Sequence, residues 1–175
     1  FHIHGLFLFL IVSMLIWETA RWLRDVHVRD LRGYSTPLMI GVIGVTASIF
    51  VGVVLGFMGN QVAMITIPLI VWIAILFFRP DQSIPMQYVL VLAGFALSLT
   101  LGVEVIVIAG DIGRQNTVFK FYIQVWLLFG VAGGVAFAWL IQQADLWRFR
   151  LQLAWFVPLM LMVSAAAMFP FGAVR

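Results

Sequence analysis

Six apolar runs follow one another along the chain, and short polar breaks separate them. They cover about Ile3–Trp22, Pro37–Met58, Gln61–Phe78, Pro85–Ala109, Asn116–Ile141 and Phe149–Met168. A helix needs about 20 mostly apolar residues to cross a bilayer core, and each run is near that length. None alternates with period two, and backbone in lipid has to satisfy its own hydrogen bonds within a helix. The pattern predicts an all-α membrane protein: a bundle of about six transmembrane helices forming a single domain over residues 1–175. The second and third runs are parted only by Gly59-Asn60, which predicts a tight hairpin. Ser-Thr-Pro opens the second run, and proline is tolerated in a first helical turn, so that helix is expected to start near Pro37. Gly44, Ser48, Gly52 and Gly56 recur every four residues, as do Gly130, Gly134 and Ala138. Small residues at this spacing let helix backbones approach, and packing within the bundle is the favoured use of both stripes over a dimer face.

Composition agrees with lipid as the solvent. The chain is 64% hydrophobic and only 10% charged, against roughly 25% charged for a soluble domain. Its net charge of +3 is spread over loops, and no basic stripe is long enough to follow a phosphate backbone, so nucleic acid is not an expected partner. There is no cysteine, which excludes disulfides and thiolate metal sites. The chain opens at Phe1 without a basic n-region and reads as a segment of a longer polytopic protein. Basic residues set the orientation. Arg21, Arg24, Arg29, Arg32, Arg79, Arg148 and Arg150 fall on one side, and Arg114, Lys120 and Arg175 on the other. The richer side is expected to be cytoplasmic.

One polar island interrupts the apolar pattern between the fourth and fifth runs, from Glu104 to Lys120. It holds two of the seven acids, Glu104 and Asp111, together with Arg114, Asn116 and the lone lysine, Lys120. Ionisable groups near lipid are costly, so each is a candidate functional residue. Glu104 and Asp111 are seven apart, about two helical turns, which would put both carboxylates on one face with Glu104 roughly 10 Å deeper. Gly110 and Gly113 favour a helix end around Asp111. Asn116, Lys120 and Gln124 step by four and form a polar stripe on the fifth helix. Lys120 can reach outward to the interface or pair inside with Glu104 or Asp111. An ion pair that locks the two helices and a substrate or ion role stand level on this evidence.

Other polar residues carry less. His2 and His4 are two apart and do not share a helix face, so a cap or core role is favoured over a metal pair. Glu18 with Arg21, and Arg24 through Arg32, read as a solvated charged loop or an anionic-lipid contact. Trp17, Trp22, Trp147 and Trp155 are expected to include interfacial anchors. No phosphate loop, dinucleotide turn, nucleophile elbow or zinc-protease motif is present.

The stretch Gly110-Asp-Ile-Gly-Arg-Gln-Asn-Thr-Val-Phe-Lys-Phe-Tyr-Ile-Gln-Val-Trp126 resembles the signature of the YYY-domain membrane proteins, a multi-spanning prokaryotic family of unknown function. Ile3-His-Gly-Leu-Phe-Leu-Phe-Leu10 resembles another segment of it. Gln115 stands where that family usually has methionine. The family is similar to membrane glycosyltransferases of the GT-C superfamily. Those use a polyprenyl-phosphate sugar donor and an extracytoplasmic acid, acting as base or as ligand to a divalent metal. The resemblance implies a glycosyltransferase-like fold in a prokaryotic membrane, and the first hypothesis is a lipid-linked glycosyltransferase or related enzyme of cell-envelope glycan synthesis, with the island on the extracytoplasmic side that the basic residues predict. Asp111 or Glu104 would be the catalytic acid, and Arg114, Asn116, Lys120 and Gln124 would bind substrate. Two alternatives remain: a non-catalytic subunit of a larger membrane complex, and a transporter with a proton-linked Glu104–Lys120 pair. No inverted repeat is visible to favour the transporter.

Overall fold

The computed structural model describes residues 4–25, 31–79, 82–105 and 114–173. Six helices follow in order: α1 Gly5–Asp25, α2 Leu31–Phe57, α3 Gln61–Phe77, α4 Ile84–Val105, α5 Arg114–Gln143 and α6 Phe149–Ala173. A short 3-10 turn, Ala144–Leu146, joins the last two, and no strand occurs among the described residues. The all-helical reading holds. Five helices are long and apolar enough to cross a membrane, and α3 is the exception at 17 residues. At 1.5 Å per residue α3 spans only about 26 Å, a little short of a typical hydrocarbon core.

α1, α3, α4 and α5 close into a ring, each touching two of the others. Their apolar faces meet in an interior of Ile11, Met14 and Leu15 from α1, Leu76 from α3, Leu90 and Leu97 from α4, and Phe129 and Leu140 from α5. α2 packs on the outside of α3, and α6 touches the ring mainly through α1. Most of the large side chains of α2 and α6 are exposed, among them Ile43, Phe50, Leu161 and Val163. In water this surface would be untenable; in a bilayer it faces lipid tails.

The α2–α3 hairpin follows from a few residues. Gly59 takes φ +99°, a left-handed conformation that costs other residues strain. The Asn60 N–H donates to the Leu55 carbonyl (2.9 Å) and the Gly59 N–H to the Gly56 carbonyl (3.1 Å), the Schellman pattern of a helix end. Asn60 then caps α3, its Oδ1 accepting from the Ala63 N–H at 3.1 Å. Helix α2 begins at Leu31, six residues before the expected start, so Pro37 is not in its first turn.

The two small-residue stripes have different fates. On α2, Gly44 and Gly52 lie against α3, and Gly56 meets the Met64 side chain. On α5, Gly130 and Gly134 have open space beside them, and Ala138 is exposed. The close approach there is made by Gly133, against Phe7 of α1.

Candidate functional site

The polar island straddles the end of α4 and the start of α5. Glu104 stands in the last turn of α4 and is half-buried. Asn116 stands in the first turn of α5 and is also half-buried, while Lys120 and Gln124 are exposed. The reason is the pattern of α5. Val125, Phe129, Ala132, Ala136 and Leu140 form its buried face, and the Asn116–Lys120–Gln124 stripe runs alongside that face rather than on it. The island therefore combines a half-buried glutamate and asparagine with an exposed lysine and glutamine. Asp111 lies outside the described residues. Arg114 begins α5, and its side chain is likewise outside the description.

A further polar group joins this end of the bundle. His4, just before α1, is 6% exposed and sits inside the mouth of the four-helix ring. Its ring lies 5.6 Å from Tyr122 edge-on and 5.4 Å from Phe129. Neither ring nitrogen has a hydrogen-bond partner among the described residues. Burial holds its pKa below the ordinary histidine value, which favours the neutral imidazole. A cavity of about 30 Å³ adjoins it, lined by Leu8, Val62, Thr66, Leu97, Thr100 and the two aromatic neighbours. Thr66 donates back to the Val62 carbonyl at 2.9 Å and Thr100 to the Ala96 carbonyl at 2.8 Å. Thr100 is one turn before Glu104 on α4, so the two share a helix face. The core role expected for His4 agrees with its burial. Its place beside the α5 aromatics was not legible, because two histidines near a terminus give no periodic signal.

At the opposite end the ring is closed by charge. Glu18 is 2% exposed rather than solvated, which corrects the loop reading. Its Oε2 lies 3.4 Å from Nη2 of Arg79, and its Oε1 lies 3.6 Å from Nη1 of Arg21. Arg79 also donates from Nη1 to the Glu18 carbonyl at 3.2 Å. Nearby, the Trp72 indole donates to Thr19 Oγ1 at 2.9 Å. Trp147 and Trp155 are buried against each other, with ring centroids 5.4 Å apart, instead of standing free as interfacial anchors. Arg24 lies 5.1 Å from the ring centre of Trp17, a cation–π distance.

Metal chemistry has little to build on among the described residues, where no group of three or more histidine or acidic side chains could hold an ion. An apolar groove of about 350 Å³ runs between α1, α2 and α3, past Trp22, Val45 and Trp72.

The family model of an uncharacterized membrane protein (DUF2298) matches residues 1–129, which covers α1 to α4 and the first half of α5. No curated protein and no solved structure matches the chain.

Proposed function

The chain belongs to this family of uncharacterized membrane proteins and is an integral membrane protein, and from that premise we propose that it acts in lipid-linked sugar transfer at the cell envelope. In this reading Glu104, with Asp111, supplies the acid or base. Arg114, Lys120, Asn116 and Gln124 hold the phosphate and sugar oxygens of a polyprenyl-phosphate donor through charge-assisted and neutral hydrogen bonds. The supporting observation is that a half-buried carboxylate, Glu104, and an exposed lysine, Lys120, stand at the same end of the bundle. A site for a lipid phosphate needs an accessible cation near the interface, and an exposed lysine near the start of a spanning helix meets that need. The island is taken to be extracytoplasmic, in a prokaryotic cell membrane.

The test is transfer from a polyprenyl-phosphate sugar in membranes carrying the full-length protein. Glu104→Gln should lower the rate at least about 100-fold, the smaller end of what a positioned acid or base contributes, and Lys120→Met should weaken use of the donor, each with the folded fraction unchanged. Activity retained in both variants would sink the assignment. The open faces of Gly130 and Gly134 favour a second reading, in which α5 packs against a neighbour in a larger membrane assembly. A stoichiometric partner that co-purifies, with no transfer activity, would support it.

A further inference from the structure

We propose that the cavity beside His4 is a hydration site, holding one buried water that bridges the His4 imidazole to Oγ1 of Thr66 and of Thr100. Size comes first. A water needs about 10–15 Å³ of such space, and the cavity offers about 30 Å³, which suits one water but not a sugar or a phosphate. Polarity comes second. His4 is more than nine-tenths buried, and neither ring nitrogen has a protein partner among the described residues. A buried polar group without a hydrogen bond is strongly disfavoured, and ordered water is the usual remedy.

The donors and acceptors of His4, Thr66 and Thr100 give the water one arrangement, beside Tyr122, whose phenol also lines the cavity and can donate or accept. A neutral imidazole has one N–H to give and one nitrogen that accepts. Each threonine has already committed its hydroxyl proton to a carbonyl in its own helix, at 2.9 Å for Thr66 and 2.8 Å for Thr100. Their oxygens therefore meet the cavity as acceptors. A water that accepts from the imidazole N–H and donates to the two threonine oxygens makes three bonds, the common number for a buried water. Leu8, Val62, Leu97 and Phe129 supply the apolar part of the wall. The water would tie α1, α3 and α4 together one turn below Glu104, with Tyr122 and Phe129 of α5 as the fourth side. None of this depends on the sugar-transfer reading.

The experiment is a structure of the full-length protein in lipid nanodiscs at a resolution that shows waters, paired with the Thr66→Val/Thr100→Val double variant. The expected result is a compact density about 3 Å from a His4 ring nitrogen and from both threonine oxygens, lost in the double variant. Density that persists in the double variant would overturn the proposal, as would a dry cavity or a His4 ring hydrogen-bonded directly to protein. Should the double variant fail to fold, the wild-type map decides alone: density at bonding distance from all three side chains supports the site, and its absence removes it.

Discussion

Gly52 carries no side chain, and α3 uses that space. A Cβ at this position would stand 3.1 Å from the Met64 carbonyl oxygen and 3.3 Å from that of Ala63, both backbone atoms that cannot rotate away. Pro68 explains why the Met64 carbonyl is available. Proline has no N–H, so the carbonyl four residues earlier loses its helical partner. Gly52→Ala should therefore cost about 1–3 kcal/mol of stability, the range for overpacking, whereas Gly134→Ala should change stability by less than about 0.5 kcal/mol. Thermal unfolding in detergent measures both, and equal losses would contradict the packing. A second residue-scale prediction concerns the buried pair. Glu18→Gln or Arg79→Gln should each cost about 3–5 kcal/mol, while Glu18→Leu with Arg79→Met should cost clearly less than the sum. Strict additivity of the two would show that the pair is uncoupled.

At the scale of the elements, the hairpin between α2 and α3 rests on one backbone conformation. Gly59→Ala should destabilise by about 1–2 kcal/mol, the cost of placing a Cβ in the left-handed region. Because nothing lies within 4 Å of the Cβ position at Gly59, the loss would come from backbone strain and not from crowding. A Gly59→Asn variant, which tolerates that conformation better, should recover part of it. The hairpin and the six helices were legible in the sequence, because each is a local matter of apolar length and turn residues. The partners of each helix were not. The stripe on α2 and the stripe on α5 have the same spacing, yet only the first meets a neighbouring helix. Spacing says that a close approach is allowed, and the fold decides whether a helix arrives. Glu18 was misread for the same reason. Arg21 sits one turn away, but its closer partner, Arg79, lies 61 residues on, in the bend just after α3. For the island, the residues were legible as a group, and the outward turn of Lys120 and Gln124 was set by the apolar face of α5.

For the molecule as a whole, the two ends differ in kind. One end carries His4, Glu104, Asn116 and Lys120, and the other carries Arg21, Arg24, Arg79, Arg148 and Arg150. If the richer basic end is cytoplasmic, a membrane-impermeant maleimide should label Lys120→Cys on intact cells and Arg148→Cys only after lysis. The stretch contains no native cysteine to compete, and both positions are exposed. The reverse pattern would invert the protein and remove the extracytoplasmic site. Apolar surface on α2 and α6 is what lipid contact predicts, so the ring of α1, α3, α4 and α5 should remain the most protected part in hydrogen exchange.

The Glu18–Arg79 contact also has a bearing on biogenesis. Its two residues are 61 apart in sequence, so the carboxylate on α1 is made well before its guanidinium. At typical synthesis rates of 5–20 residues per second the gap lasts about 3–12 s. During that interval Glu18 has only the half-exposed Arg21 beside one carboxylate oxygen, and its other oxygen lacks the Arg79 contact, so seating α1 fully near the bilayer boundary is disfavoured. The first helix is thus expected to wait at the interface, or beside the insertion machinery, until α3 delivers Arg79, making final seating of α1 a late event although it is the first helix of this stretch to be synthesised.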